Sequence, residues 1–264
     1  MELEVSFIDA FTDKLFSGNP AAVIIMDDWL DDQLMQSIAT ENNLSETAFS
    51  VKEGDHYHIR WFSPLTEIDF CGHATLATAH VLFNRLEQVQ CLRFYAEAIG
   101  EFEVNREADD FYEMRFPQRK PHTVESVPQD LLKGLSICPD EVYQNDQAYF
   151  AVYNSEKSVL GVQQNSDFLK KLKPYDVVVT SLSDKDKYDF VSRYFWPANG
   201  GDEDPVTGSI HAGLAPFWSE RTGKSQLRAY QASTRGGYLE CKVVADRVII
   251  SGKAVQYLTG IIQV

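Results

Sequence analysis

The sequence predicts an α+β protein of two pseudo-symmetric halves, each a barrel-like, mostly antiparallel sheet wrapped around one central helix. Three observations carry this. Short alternating or apolar runs broken by Gly, Pro and Asn recur through all 264 residues. Two helical stretches, "HATLATAHVLFN" and "GSIHAGLAPFW", are built mostly of small and apolar side chains, as a helix closely surrounded by strands requires. Those stretches also sit in matching contexts. "YHIRWFSPLTEIDFCGHATLATAHVLF" and "YDFVSRYFWPANGGDEDPVTGSIHAGLAPFW" each give a strand with Arg and aromatics, a Pro, an acidic loop, a Gly turn and the small-residue helix.

In order along the chain, "EVSFIDAFT" alternates as a strand, and "SGNP" turns into the apolar strand "AAVIIM". "DDWLDDQLMQSIATENN" reads as a helix capped by Asp27 or Asp28, with Leu30, Leu34 and Ile38 on its buried face and Asn42 or Asn43 ending it. "LSETAFSVK" and "DHYHIRWF" are strands, "TEIDFCG" is a short extended piece, and the first central helix spans 73–84. "CLRFYAEAIGEFEVNRE" and "DFYEMRFP" are paired strands. "RKPHTVESVP" is the crossing, which puts the halves at 1–118 and 119–264, with the last strand free to pack on the first half. Beyond it, "VPQDLLKGLS" is a helix, and "EVYQND", "AYFAVYN" and "SVLGVQQ" are strands. "NSDFLKKLKPY" is a helix, "DVVVTSLS" a strand, the second central helix spans 208–222, and a strand meander closes the chain.

Composition narrows the function. A net charge of -15 opposes binding to nucleic acid or anionic membrane. No run approaches the ~20 apolar residues of a membrane helix, and the first residues do not form a secretory signal. Cys71, Cys91, Cys138 and Cys241 are widely spaced and form no CxxC pair, so no metal site is expected and the thiols read as reduced, in a cytoplasmic protein. An anionic ligand would need a locally positive site. Each central helix begins at a Gly turn, Gly72 and Gly208, and helix N-termini supply free N–H groups and about half a positive charge. Two such starts facing a cleft between the halves would hold a carboxylate.

The stretches "FIDAFTDKLFSGNPAAVI", "NNLSETAFS", "RWFSPLTEIDFCGHATLATAHVL" and "GGDEDPVTGSIHAGLAPFW" together resemble the PhzF-like family, named for the phenazine-biosynthesis isomerase. The resemblance covers most of the chain. It implies a diaminopimelate epimerase-like fold, a homodimer, no metal or organic cofactor, and a small anionic carboxylate as substrate. In the family a glutamate moves a proton on a cyclic carboxylic acid, and the matching residue is Glu46. Ser45, Gly72, His73, Asp204, Gly208 and Ser209 match the family's substrate-binding positions. Glu46 reads as mid-strand, sharing a face with Leu44, Ala48 and Ser50, and a carboxyl in such surroundings can give and take a proton.

The related epimerases use two opposed thiols. Cys71 fills the first place and Pro205 aligns with the second, so Cys71 reads as a small buried residue and the chain as an isomerase. The rivals are an amino-acid epimerase or racemase of the same fold, and a non-catalytic small-molecule or partner-binding protein. Ser209 and His211 lie two apart on a helix, do not face each other, and make no nucleophile pair. His80 reads as structural, His56 and His58 as an exposed polar face, and "SGNP" lacks a nucleotide-binding pattern.

Overall fold

A computed structural model describes all 264 residues. The chain runs β1 (Glu2–Ala10), β2 (Asn19–Met26), α1 (Asp32–Asn42), β3 (Glu46–Glu53), β4 (His56–Phe62), β5 (Glu67–Ile68), α2 (Gly72–Arg85), β6 (Cys91–Ala96), β7 (Gly100–Arg106) and β8 (Tyr112–Pro117). It continues through β9 (His122–Thr123), α3 (Gln129–Gly134), β10 (Glu141–Gln144), β11 (Ala148–Val152), α4 (Glu156–Gly161), α5 (Ser166–Leu169), β12 (Asp176–Leu182), β13 (Phe190–Phe195) and β14 (Glu203–Asp204). It finishes with α6 (His211–Thr222), β15 (Gln226–Gln231), β16 (Gly237–Val244), β17 (Arg247–Gly252) and β18 (Ala254–Gln263). These elements form two compact units, one of Met1–Arg115 with Ser251–Val264 and one of Phe116–Ile250. The sequence cut lay at 118 and left the last strand free to pack on the first half; β18 pairs along its length with β1 and belongs to unit 1.

Unit 1 is a curled, open sheet. β1 pairs antiparallel with β18 and β2, β2 parallel with β3, and β3 antiparallel with β4. β4 then pairs with the short β5 and, in parallel, with β6, which leads to β7 and β8. α1 covers one face through Met35, Ile38 and Ala39, packed with Ile24, Phe49 and Phe62. Asp31 caps it, accepting from the Gln33 N–H, so the cap is neither Asp27 nor Asp28 but lies further along; Asn43 ends it in the left-handed conformation, φ 48°. α2 is buried on most sides. Ala74, Ala77 and Ala79 let strands approach closely, and buried Leu76 and Leu82 each stabilise by roughly 1.5–3 kcal/mol over exposure.

Unit 2 repeats the plan strand for strand. β10–β11 is antiparallel, β11–β12 parallel, β12–β13 antiparallel, β13–β14 antiparallel, β13–β15 parallel and β15–β16 antiparallel. The register matches too. Phe62 pairs with Glu67 and Trp61 with Ile68; Phe195 pairs with Glu203 and Tyr194 with Asp204. Arg60 grips Glu67 with two hydrogen bonds of 2.7 Å, and Arg193 grips Glu203 at 2.8 and 2.9 Å. Each guanidinium also lies over the aromatic ring two residues on, 5.2 Å from Phe62 and 4.9 Å from Phe195.

Two sequence expectations change here. "SVLGVQQ" is not a strand: Ser155 caps α4 by accepting from the Ser158 N–H, and Val159 and Val162 are buried three residues apart on that turn. The second central helix starts at His211, not at 208. Its approach is a tight turn in which the N–H groups of His211, Ala212 and Gly213 already bond to the carbonyls of Gly208, Ser209 and Ile210.

Candidate active site

In unit 1 the fold gathers Ser45, Glu46, Gly72 and His73, and adds two residues that the sequence did not single out as functional, Asn19 and Cys71. Glu46 is the first residue of β3, not a mid-strand residue, and pairs in register with Ala21 of β2. Its neighbour is polar. Oε2 lies 3.0 Å from His73 Nε2, and the two side chains are only 13% and 7% exposed. The contact is poorly aligned for a hydrogen bond, which leaves this buried oxygen with no partner of its own. α2 begins at Gly72 with no side-chain cap and no acid in its first turn, so its leading N–H groups add positive character beside the carboxylate.

His73 is held from its other nitrogen. Nδ1 lies 3.1 Å from the Asn19 amide nitrogen, and Ser45 Oγ donates to Asn19 Oδ1 at 3.0 Å. With the amide so placed, Nδ1 accepts and Nε2 carries the proton facing Glu46. Cys71 Sγ sits 3.4 Å from Nδ1. Burial and then the Glu46 charge push the thiol up to about 11, so near neutral pH it is protonated and uncharged. For His73, burial favours the neutral ring, but Cys71 and Glu46 together outweigh it and hold the ring well above the usual imidazole value. With the thiol neutral, only Glu46 supports an imidazolium, and the Asn19 amide donating to Nδ1 favours the neutral ring against it.

Glu46, Cys71 and His73 each offer a donor atom, all within 4.8 Å of one another, so this set could hold a metal ion. Cysteine spacing hid it, since only one of the three is a cysteine. A metal would first have to displace the thiol proton.

In unit 2, Asp204 ends β14; its Oδ2 accepts from the Thr207 hydroxyl and its carbonyl from Gln231 Nε2 at 2.9 Å. Ser209 Oγ accepts from Gln147 Nε2 at 2.9 Å. His211 turns away from Ser209: its Nδ1 donates to the Thr207 carbonyl at 2.8 Å, and burial lowers its pKa to about 4. The matched strand registers correct one alignment. Glu67 corresponds to Glu203, and four residues beyond each strand pair come Cys71 and Thr207, then Gly72 and Gly208, then His73 and Ser209. Thr207, not Pro205, is the position in unit 2 that corresponds to Cys71.

The other histidines stay outside. His80 is half-buried against Tyr112 and Asn84, and its partial burial lowers its pKa to about 4; His56 and His58 lie beside Asp55 and Glu53. A surface cavity of about 560 Å³ lies near His58 and Arg60, and no residue of the Glu46 group lines it.

The duplicated sheet-and-helix unit defines a fold class, and relatives of this chain within it are named isomerases. The chain belongs to the phenazine biosynthesis-like (PhzC-PhzF) family, whose sequence profile matches residues 8–260. It is 47% identical over 260 residues, 98% of each chain, to an uncharacterized isomerase of Pseudomonas aeruginosa; two further bacterial relatives are also named isomerases. The crystal structure of a PhzF-family protein from Enterococcus faecalis superposes with a TM-score of 0.94 at 41% identity, covering 100% of both chains. A hydroxyproline epimerase from Agrobacterium vitis shares the fold, with a TM-score of 0.61 at 10% identity over 99% of this chain and 92% of its own. No helix is long and apolar enough to cross a membrane.

Proposed function

We propose that this protein is an isomerase that moves a proton between carbons of a small carboxylic acid, with Glu46 as the acid and base. The observation that carries the reading is the Glu46–His73 pair, 3.0 Å apart, almost wholly buried, with an otherwise unpartnered Glu46 oxygen. Such a pair takes a proton from carbon, keeps it out of water and returns it. The substrate carboxylate rests on the first-turn N–H groups at Gly72 and His73, beside Ser45. Asp204, Gly208 and Ser209 keep the substrate-binding role that the family resemblance gives them. A two-thiol epimerase is disfavoured, because a threonine hydroxyl stands where the second thiol belongs and the Cys71 thiol is held protonated.

The test is solvent-deuterium incorporation, followed by NMR, over a panel of small carboxylic acids. The wild type should exchange a carbon-bound hydrogen of its substrate. Glu46→Gln should keep the fold and lose at least about 100-fold in rate. A Gln variant that exchanges as fast as the wild type overturns the assignment. The homodimer implied by the resemblance has a candidate surface in β18, whose ten residues carry no charge and whose Tyr257, Leu258 and Ile261 are exposed.

A further inference from the structure

Unit 2 carries a carboxyl at the place Glu46 holds in unit 1. The parallel pairing of β2 with β3 sets Ala21 opposite Glu46, and that of β11 with β12 sets Ala148 opposite Asp176. Each acid opens its strand, and each follows a helical crossover. The same correspondence takes Arg60 to Arg193 and His73 to Ser209.

Asp176 is wired to Ser209. The Tyr194 hydroxyl donates to Asp176 Oδ2 at 2.7 Å. Gln147 Nε2 donates one hydrogen to the Tyr194 oxygen at 3.0 Å and the other to Ser209 Oγ at 2.9 Å. With its oxygen engaged from behind, Ser209 directs its own O–H away from Gln147, as a donor. Gln147 Oε1 is buried and has no hydrogen-bond partner. A half-turn of the amide would leave Nε2 unpaired in that place instead, so neither orientation is locked.

We propose that the protonation of Asp176 sets whether Ser209 presents a hydrogen or a lone pair to its ligand. When Asp176 is ionised, the chain runs as described. When it takes a proton, the carboxyl O–H donates to the Tyr194 oxygen and the Tyr194 hydrogen turns to Gln147. The amide then rotates, Oε1 accepts from both Tyr194 and Ser209, and Ser209 is left as an acceptor. Only the added proton enters; every other change is a rotation.

The groups facing Asp176 favour titration in the working range. Burial raises its pKa most; the Tyr194 hydroxyl from β13 and the Asn199 amide, 2.7 Å from Oδ1, pull it down, and the Asp204 charge from β14 raises it again, to about 6. Tyr194 itself is held well above 10 by burial and by Asp176, so it stays a neutral relay.

The proposal rests on Ser209 being a ligand-binding residue, but its test needs no substrate. Protein labelled with ¹³C at aspartate carboxyls and ¹⁵N at glutamine side chains is titrated by NMR. The Asp176 carboxyl should titrate with a midpoint near 6, and the Gln147 amide should follow the same midpoint. In Tyr194→Phe, Asp176 should still titrate while Gln147 no longer follows; in Asp176→Asn the Gln147 response should vanish. If Tyr194→Phe fails to fold, Asp176→Asn alone decides. A Gln147 amide that is silent across the titration, or that responds unchanged in Asp176→Asn, overturns the proposal. Loss of Glu46-dependent exchange would leave these readings untouched, so the two failures are distinguishable.

Discussion

At the scale of single residues, burial decides chemistry. His211 is fully buried with its Nδ1 on the Thr207 carbonyl, and its folded pKa of about 4 lies below the usual 6.5. A base with a depressed folded value stabilises the fold fully above pH 6.5 and loses that contribution as pH falls toward 4. The loss should reach ~3 kcal/mol for this side chain. Chemical denaturation between pH 7 and 4 should show it, and His211→Gln should flatten the dependence. Glu46 and His73 were legible because their flanking motifs, "LSETAF" and "CGHAT", stand intact in the sequence. Asn19 was not: "SGNP" reads as a turn, and nothing local says that its amide will meet a ring 54 residues on. Asp176 was hidden for the same reason. Only strand register shows that it opens β12 as Glu46 opens β3.

At the scale of elements, close approach governs what the central helices tolerate. Gly213 in α6 is one close approach, since an added Cβ would meet Phe150 Cζ at 2.8 Å, the Arg119 carbonyl at 2.9 Å and Asn145 Nδ2 at 3.0 Å. Gly213→Ala gains helix propensity yet should destabilise by ~1–3 kcal/mol, because one of those atoms belongs to backbone and cannot swing aside. Urea melting of the variant checks this. The small-residue pattern of both central helices was readable, and so was the strand order around them. α4 was not, because "SVLGVQQ" is short and β-branched at two positions, and its helical start depends on one serine cap. The start of α6 was misjudged by three residues because a run of turns precedes it, and such boundaries turn on backbone bonding that side-chain pattern does not encode.

At the scale of the whole molecule, duplication and charge set the terms. The Arg–Glu clamp recurs in each unit at the same register, on the same side of the same short strand, so both units descend from one plan that the quoted stretches already displayed. The charge of -15 makes contact between copies costly wherever acids meet. β18 avoids that cost: it pairs with β1 and exposes Tyr257 at 55% and Ile261 at 58%, with no charged residue along it. A second copy pairing antiparallel along this strand would satisfy two-fold symmetry. Sedimentation equilibrium should give twice the 29.9 kDa chain mass for the wild type and a single chain mass for Ile261→Lys, with unchanged circular dichroism. A wild type that sediments as a single chain at tens of micromolar would refute that surface.

The return of β18 to β1 also has a consequence during synthesis. On the ribosome, unit 2 is contiguous and can complete its sheet as soon as its own residues emerge. Unit 1 is begun before unit 2 yet cannot finish, because the partner of β1 is translated only after unit 2. Until then β1 stands as an unprotected edge, and a nascent chain arrested before β18 should be the species that chaperones hold.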